Sequence, residues 1–263
     1  LNGGLHVSSN DSIKKTLIVA FSLCIVCSVI VSTAAVVLKP AQEANKTLDR
    51  KRNILAAAGM LQEGVSVEEQ FSQVTERVVD LRTGRFADDV DPVSYDQRKA
   101  AKDPSESERL SAEQDVAKIA RREHYAIIYL VEDSSGDVQK IILPVHGAGL
   151  WSTLYGYIAL EADGNTVAGL GFYEHGETPG LGGEVDNPRW KAFWPGKQVY
   201  RDGTVEIGLI KGSVNPSGAN ADWQIDGLAG ATLTANGVTN LVQFWLGENG
   251  FQPFLNNLKS GEA

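Results

Sequence analysis

Two glycine-rich segments hold the residues best suited to chemistry in this chain of 263 residues. The first is His175-Gly176-Glu177-Thr178-Pro179-Gly180-Leu181-Gly182-Gly183-Glu184, which directly follows an apolar, strand-like run. Glycine there permits positive φ and close backbone approach, so that freed amides can meet the edge of a ligand; a long turn explains the composition as well. The segment has neither the G-x-G-x-x-G spacing of a dinucleotide fingerprint nor the G-x-x-x-x-G-K-[ST] of a phosphate loop. The second segment, Asp226-Gly227-Leu228-Ala229-Gly230-Ala231-Thr232-Leu233-Thr234, stands immediately before an amphipathic stretch. Thr234 is the expected N-cap of a helix whose unpaired amides and positive dipole end would suit a phosphate. Thr232 would then hold its hydroxyl beside that anion, and Ala229, Gly230 and Ala231 leave room for a bulky group. A plain capped helix is the competing reading.

Other chemistries are poorly served. His6, His124, His146 and His175 are scattered, and Cys24 and Cys27 both lie in an apolar run, so neither a dedicated metal site nor a disulfide framework is expected. No G-x-S-x-G elbow accompanies the histidines, which removes a Ser-His-Asp hydrolase. With 24 Lys+Arg against 33 Asp+Glu and a net charge of −9, the chain lacks the basic stripe that a broad nucleic-acid surface needs.

The elements that must position these segments follow from hydropathy. Residues 17–38 form an uncharged run that as a helix spans roughly 33 Å, enough to cross a bilayer. A cleaved signal peptide is the competing reading, but the run exceeds a usual h-region, which favours an uncleaved anchor behind a short tail, 1–16. Ala41 to Ala58 reads as a helical stalk ending near Gly59, and Val67, Phe71 and Val74 suggest a short amphipathic helix. Ala87 to Arg122 reads mainly as a solvated surface insertion, with Arg109 to Ala120 helix-compatible. From Tyr125 apolar runs alternate with turn residues: AIIYLVED with VQKIILPV, TLYGYIALEAD with TVAGLGFYEH, and KQVY with TVEIGLIKG. Asn187-Pro188 opens a short helix carrying Trp190, Phe193 and Trp194, and Thr234 to Gly247 is a final helix with Val238, Leu241, Val242 and Trp245 on one stripe. The expected fold is α+β. Residues 39–124 form the stalk and the N-terminal part of the soluble domain, and 125–263 form an antiparallel-sheet domain with packed helices.

The D-G-L-A-G-A-T-L-T segment resembles the flavinylation motif of FMN-binding domains, in which the last threonine of an S-G-A-T-like sequence carries FMN through a phosphoester. Together with G-E-T-P-G-L-G-G-E-V, the single anchor, Y-D-Q-R-K-A-A-K from Tyr95 and F-W-L-G from Phe244, the chain is similar from Asp11 onward to the C-subunit family of bacterial Na+-translocating NADH:quinone reductases. The resemblance is not read in residues 1–10, and Ala229 stands where the family usually has Ser or Thr.

The resemblance implies covalent FMN on Thr232, attached by a separate flavin transferase, with Trp151, Glu177, Thr178, Leu181, Gly182, Lys211, Gly230 and Ala231 around the cofactor. For Trp151 an ordinary core position, and for Lys211 a solvated strand end, remain open. No residue is expected to be catalytic by itself and none to bind a metal. The resemblance further implies an electron-relay subunit, single-pass in the inner membrane, within a complex that oxidises NADH, reduces ubiquinone and exports Na+. It places the soluble domain in the periplasm. Lys39, Lys46, Arg50, Lys51 and Arg52 against Lys14 and Lys15 would by charge alone keep that domain cytoplasmic, a rule that weakens when a long domain follows. Two alternatives stay open. One is the related G-type subunit of the ferredoxin:NAD oxidoreductase complex, which is generally shorter. The other is an anchored binding module that holds a phosphorylated ligand non-covalently or none.

Overall fold

The computed structural model describes residues 13–263; most of the expected 1–16 tail, with His6 and Asp11, lies outside the described residues. The chain divides into a first unit ending at Asp49 and a second comprising Arg50–Ala263. The first consists of helix α1, Ile13–Ala57, up to the division, so the expected span and stalk are one helix that continues through Pro40. Its most apolar 18-residue window has a mean hydropathy of 2.6, and its side chains there are exposed. Helix α1 ends where Gly59, at φ +66°, lets the amides of Gly59 and Met60 return to the carbonyls of Ala56 and Leu55.

The second unit is built on one antiparallel six-stranded sheet. After helix α2 (Val67–Phe71) come β1 (Val74–Asp80) and β2 (Arg85–Phe86). Helix α3 (Gln97–Ala100) and the small ladder of β3 (Ser107–Arg109) and β4 (Arg121–Glu123) precede β5 (Tyr125–Glu132), β6 (Val138–Ala148), β7 (Thr153–Glu161) and β8 (Val167–Glu174). The sheet order is β2-β1-β5-β6-β7-β8, and Val74 to Asp80 pair with Val131 to Tyr125 along the whole of β1. The expected N-terminal part of the soluble domain therefore supplies two strands of the sheet that the later hairpins continue. Helix α4 (Pro188–Lys191) has Asn187 as its N-cap and Pro188 in its first turn, as the Asn-Pro pair predicts. The third expected hairpin shrinks to β9 (Tyr200–Arg201) and β10 (Thr204–Val205), turned by Asp202 and Gly203 at positive φ. β11 (Gly208–Leu209) instead pairs in parallel with β12 (Gln224–Ile225). Helices α5 (Thr232–Trp245) and α6 (Gln252–Ser260) complete the chain.

Alternation along the strands gives the sheet two buried faces. Ile128, Leu130, Ile141, Leu143, Leu154 and Ile158 pack with Val238, Leu241 and Trp245 of α5 and Phe254 and Leu255 of α6. Ile127, Tyr129, Ile142, Tyr157 and Ala159 pack with Ile54, Leu55 and Ala57 of α1 and with Phe71. Each fully buried aliphatic side chain contributes about 1.5–3 kcal/mol, so both layers are needed. Helix α5 lies unusually close to β6: a Cβ at Gly237 would fall 2.4 Å from the Ala148 carbonyl oxygen.

Three expectations are corrected. Val74 belongs to β1 and not to α2, because strand pairing claims it. The expected helix over Arg109 to Ala120 is absent: Arg109 ends β3 and the residues after it turn, the Asp115 carboxylate accepting from the amides of Ile119 and Ala120, with Lys118 and Ala120 at positive φ. Ala87 to Arg122 is no solvated insertion, since Ala87, Ala100, Leu110, Ala117 and Arg122 are buried in the body.

Candidate functional site

The site forms where the second glycine segment turns into α5. Its frame is fixed from behind. The Trp190 indole donates to the Asp226 carbonyl at 2.9 Å, and the Asp226 carboxylate accepts from the Val214 amide at 2.8 Å. The Gly227 amide donates to Gly212 O at 2.9 Å. These bonds hold residues 209–213 against residues 227–232, leaving an open pocket of about 400 Å3 lined in part by Lys211, Gly212, Ser213, Gly230, Thr232 and Asn236. Gly230, at φ +71°, makes the last bend before the helix.

Helix α5 starts two residues earlier than expected, at Thr232, and the expected cap is not one. Ala231 is the N-cap residue and supplies no side-chain bond. Thr234 sits in the first turn, fully buried, and its hydroxyl donates to Oε2 of Glu177 at 2.6 Å. Ala235 is the first residue of the helix whose amide reaches back, to Ala231 O at 2.9 Å. The amides of Thr232, Leu233 and Thr234 are the orphan amides of the helix start, and Thr232 stands at the pocket with the positive pole of a 14-residue helix behind it.

The first glycine segment closes on the same helix. Glu177, 5% exposed, accepts from the amides of Leu150 (3.1 Å), Trp151 (3.0 Å) and Ser152 (3.3 Å) as well as from Thr234. Burial raises the proton affinity of this carboxyl, but the Thr234 hydroxyl and the three amides outweigh it and hold Glu177 below its ordinary value. Both ring nitrogens of His175 are engaged, one by the Glu177 amide at 3.2 Å and the other by Asp186 at 2.7 Å. Burial, helped by the Arg98 charge, pushes the His146 imidazole down to about 4. Neither ring lines the pocket that holds Thr232.

Of the nine residues expected around the cofactor, Thr232, Lys211 and Gly230 line one pocket. Leu181, 44% exposed, reaches within 3.0 Å of where a Cβ on Gly230 would stand, so the two glycine segments meet there. Trp151 is 71% exposed, which removes its reading as a core aromatic. Lys211 is exposed as well. Glu177, Gly182 and Ala231 are buried beneath the site, and Thr178 is an exposed loop residue whose carbonyl accepts from the amides of Leu181 and Gly183. Ser213 and Asn236 were not anticipated. Asn236 lies four residues beyond Thr232 and so on the same helix face, a signal the sequence does carry.

Comparison with known proteins agrees with this geometry. The FMN-binding domain family matches residues 149–247, which include both glycine segments and α5. Over 98% of its length the chain is 55% identical to the whole of the Na(+)-translocating NADH-quinone reductase C subunit of Pseudomonas aeruginosa. It is 51% identical, over 97% of its length and 98% of the relative's, to the subunit of the same name from Vibrio anguillarum. The crystal structure of Shewanella oneidensis NqrC superposes with a TM-score of 0.76 at 38% identity, covering 82% of this chain and 99% of that one. The crystal structure of the Na(+)-translocating NADH-quinone reductase C subunit from Parabacteroides distasonis gives 0.63 at 28% identity, covering 83% and 96%. The chain belongs to the NqrC family, the C subunits of the Na+-translocating NADH-quinone reductases.

Proposed function

We propose that this chain is the electron-relay subunit of a Na+-translocating NADH:ubiquinone reductase, carrying FMN in phosphoester linkage to Thr232. The observation that carries this reading is the uncapped start of α5, which puts the exposed Thr232 beside open amides and Lys211 in one pocket. These donors fit a phosphate. The helix amides hold its oxygens, the helix dipole and the lysine ammonium offset its charge, and Gly230 lets the group approach the backbone. Leu181 and Trp151 offer exposed apolar surface that suits an aromatic ring system. When bound, the isoalloxazine supplies the electron transfer.

Threonine alone is a weak nucleophile, and among the described residues no imidazole lines its pocket to activate it, so attachment falls to a separate flavin transferase that moves the FMN moiety from FAD to the hydroxyl and releases AMP. Helix α1 is long and apolar enough to cross a membrane, and we place it in the bacterial inner membrane with the Arg50–Ala263 unit in the periplasm. Electrons would then pass between cofactors of partner subunits while the complex exports Na+.

Intact-mass analysis of the chain co-expressed with a flavin transferase tests the reading. A gain of one FMN less water, mapped to the peptide holding Thr232 and lost in Thr232→Ala, is expected. An unmodified mass, with the transferase active on a control substrate, overturns it and leaves a non-covalent binding module.

A further inference from the structure

We propose that Glu177 is a positioning residue for flavin attachment, acting through its hydrogen bond to Thr234 to fix the start of α5, and with it Thr232, against the turn at Trp151. The inference rests on the reading of Thr232 as the attachment site and adds what positions it.

The motif presents two threonines two residues apart, and their environments differ completely. Thr232 is exposed on the pocket; Thr234 is 0% exposed with its hydroxyl donated at 2.6 Å to Glu177. Glu177 draws Thr234 inward and so ties the first turn of α5 to the loop that carries Glu177.

The carboxylate itself stays silent toward an anion. All four of its donors come from the protein: the amides of Leu150, Trp151 and Ser152 and the Thr234 hydroxyl. Its charge is therefore absorbed within the latch and is not presented to the phosphate. Because the same carboxylate fixes the backbone of Trp151, it sets that turn and the start of α5 against one another.

Two neighbours show that the latch is built. A Cβ at Gly182 would fall 2.5 Å from the Thr234 hydroxyl and 2.8 Å from the Glu177 carboxylate, so only glycine lets the loop close over the pair. His175, braced by Asp186, accepts from the Glu177 amide and orients the residue from its other end.

The test uses the purified full-length chain in detergent with FAD and an active flavin transferase. Attachment rate is read from in-gel fluorescence, the modified residue from peptide mapping, and the setting of the attached flavin from visible circular dichroism. Thr234→Val keeps the shape and removes the donor; Thr234→Ser keeps the donor. Thr234→Val is expected to slow attachment at least about tenfold and change the flavin dichroism, with Thr234→Ser restoring both. Attachment to Thr234→Val at the wild-type rate with an unchanged flavin spectrum overturns the proposal. Should Thr234→Val lose its far-ultraviolet dichroism, Thr234→Ala, which removes the same donor, carries the comparison, and a wild-type rate there overturns the proposal equally. Failure of the Thr232 reading looks different: the wild-type chain would itself take no flavin or take it on another peptide.

Discussion

At the scale of single residues, Thr234 separates what local sequence can and cannot say. A threonine before an apolar helix is a sound expectation for an N-cap, because its hydroxyl normally has nothing better to bond than the helix amides. Here a buried carboxylate 57 residues away offers a stronger acceptor, and nothing near Thr234 in the sequence announces it. Thr232 was legible as a site candidate from the glycine-rich segment before the helix, and Glu177 only through the family resemblance; their division into a presenting hydroxyl and a buried support was not. The Glu177 carboxyl is held below its ordinary value, so its stabilisation is present above the unfolded glutamate value of 4.5 and is lost as pH falls through the lower folded value. Glu177→Gln should cost about 2 kcal/mol near pH 7, and the gap between the two proteins should close on acidification. Urea unfolding at a series of pH values between neutrality and acid checks this; a gap independent of pH would show that the charge contributes nothing.

Among elements, turn chemistry decided which were readable. The first two hairpins were legible because Asp133 and Gly136, and Asp163, Gly164 and Asn165, set their turns locally through side-chain-to-amide bonds and positive φ. The segment from Arg109 to Ala120 was not, because the Asp115 bonds and two non-glycine residues at positive φ override its helical composition. Helix α6 went unforeseen because only Phe254 and Leu255 in its nine residues are buried, too short a pattern to read. The β3–β4 ladder carries a second consequence. Glu123, at the end of β4, is 0% exposed; Gln97 of α3 donates to one carboxylate oxygen at 2.6 Å and the other has no partner. Burial, only partly offset by the Gln97 bond and the Arg122 charge, pushes its proton affinity up to about 7. The sign is opposite to that of Glu177. The native state favours the neutral acid, so this stabilisation is complete below 4.5 and gone once pH has risen through about 7, a swing on the order of 3 kcal/mol. Glu123→Gln, which is neutral throughout, should raise the melting temperature at pH 8 and leave it little changed at pH 4.5. A melting temperature unchanged at pH 8 would mean that the buried carboxyl is solvated or paired in solution.

For the whole molecule, the apolar run at 17–38 and the α+β body were both legible, since hydropathy length and strand alternation are long-range averages that single contacts do not upset. What hydropathy could not reveal is where the long apolar helix becomes part of the folded body. Helix α1 runs unbroken to Ala57, yet from Arg50 its residues belong to the second unit. Ile54 and Leu55 are 0% exposed and Ala57 1%, packed against Ile127, Tyr129, Ile142 and Ala159 of the sheet. Gly169 of β8 approaches so closely that a Cβ there would lie 2.3 Å from the Ala57 carbonyl oxygen. The last turns of the helix are therefore core, and the place at which the chain is shortened decides whether the body folds. A chain beginning at Arg50 keeps the whole of that layer and should be monomeric and soluble, with a cooperative thermal transition. A chain beginning at Gly59 loses Ile54 and Leu55, worth about 3–6 kcal/mol together against a total stability of about 5–15 kcal/mol, and bares the apolar face they cover. It should aggregate or melt at a much lower temperature. Size-exclusion chromatography and thermal circular dichroism on the two chains distinguish the cases. Equal stability would show that the sheet closes without α1.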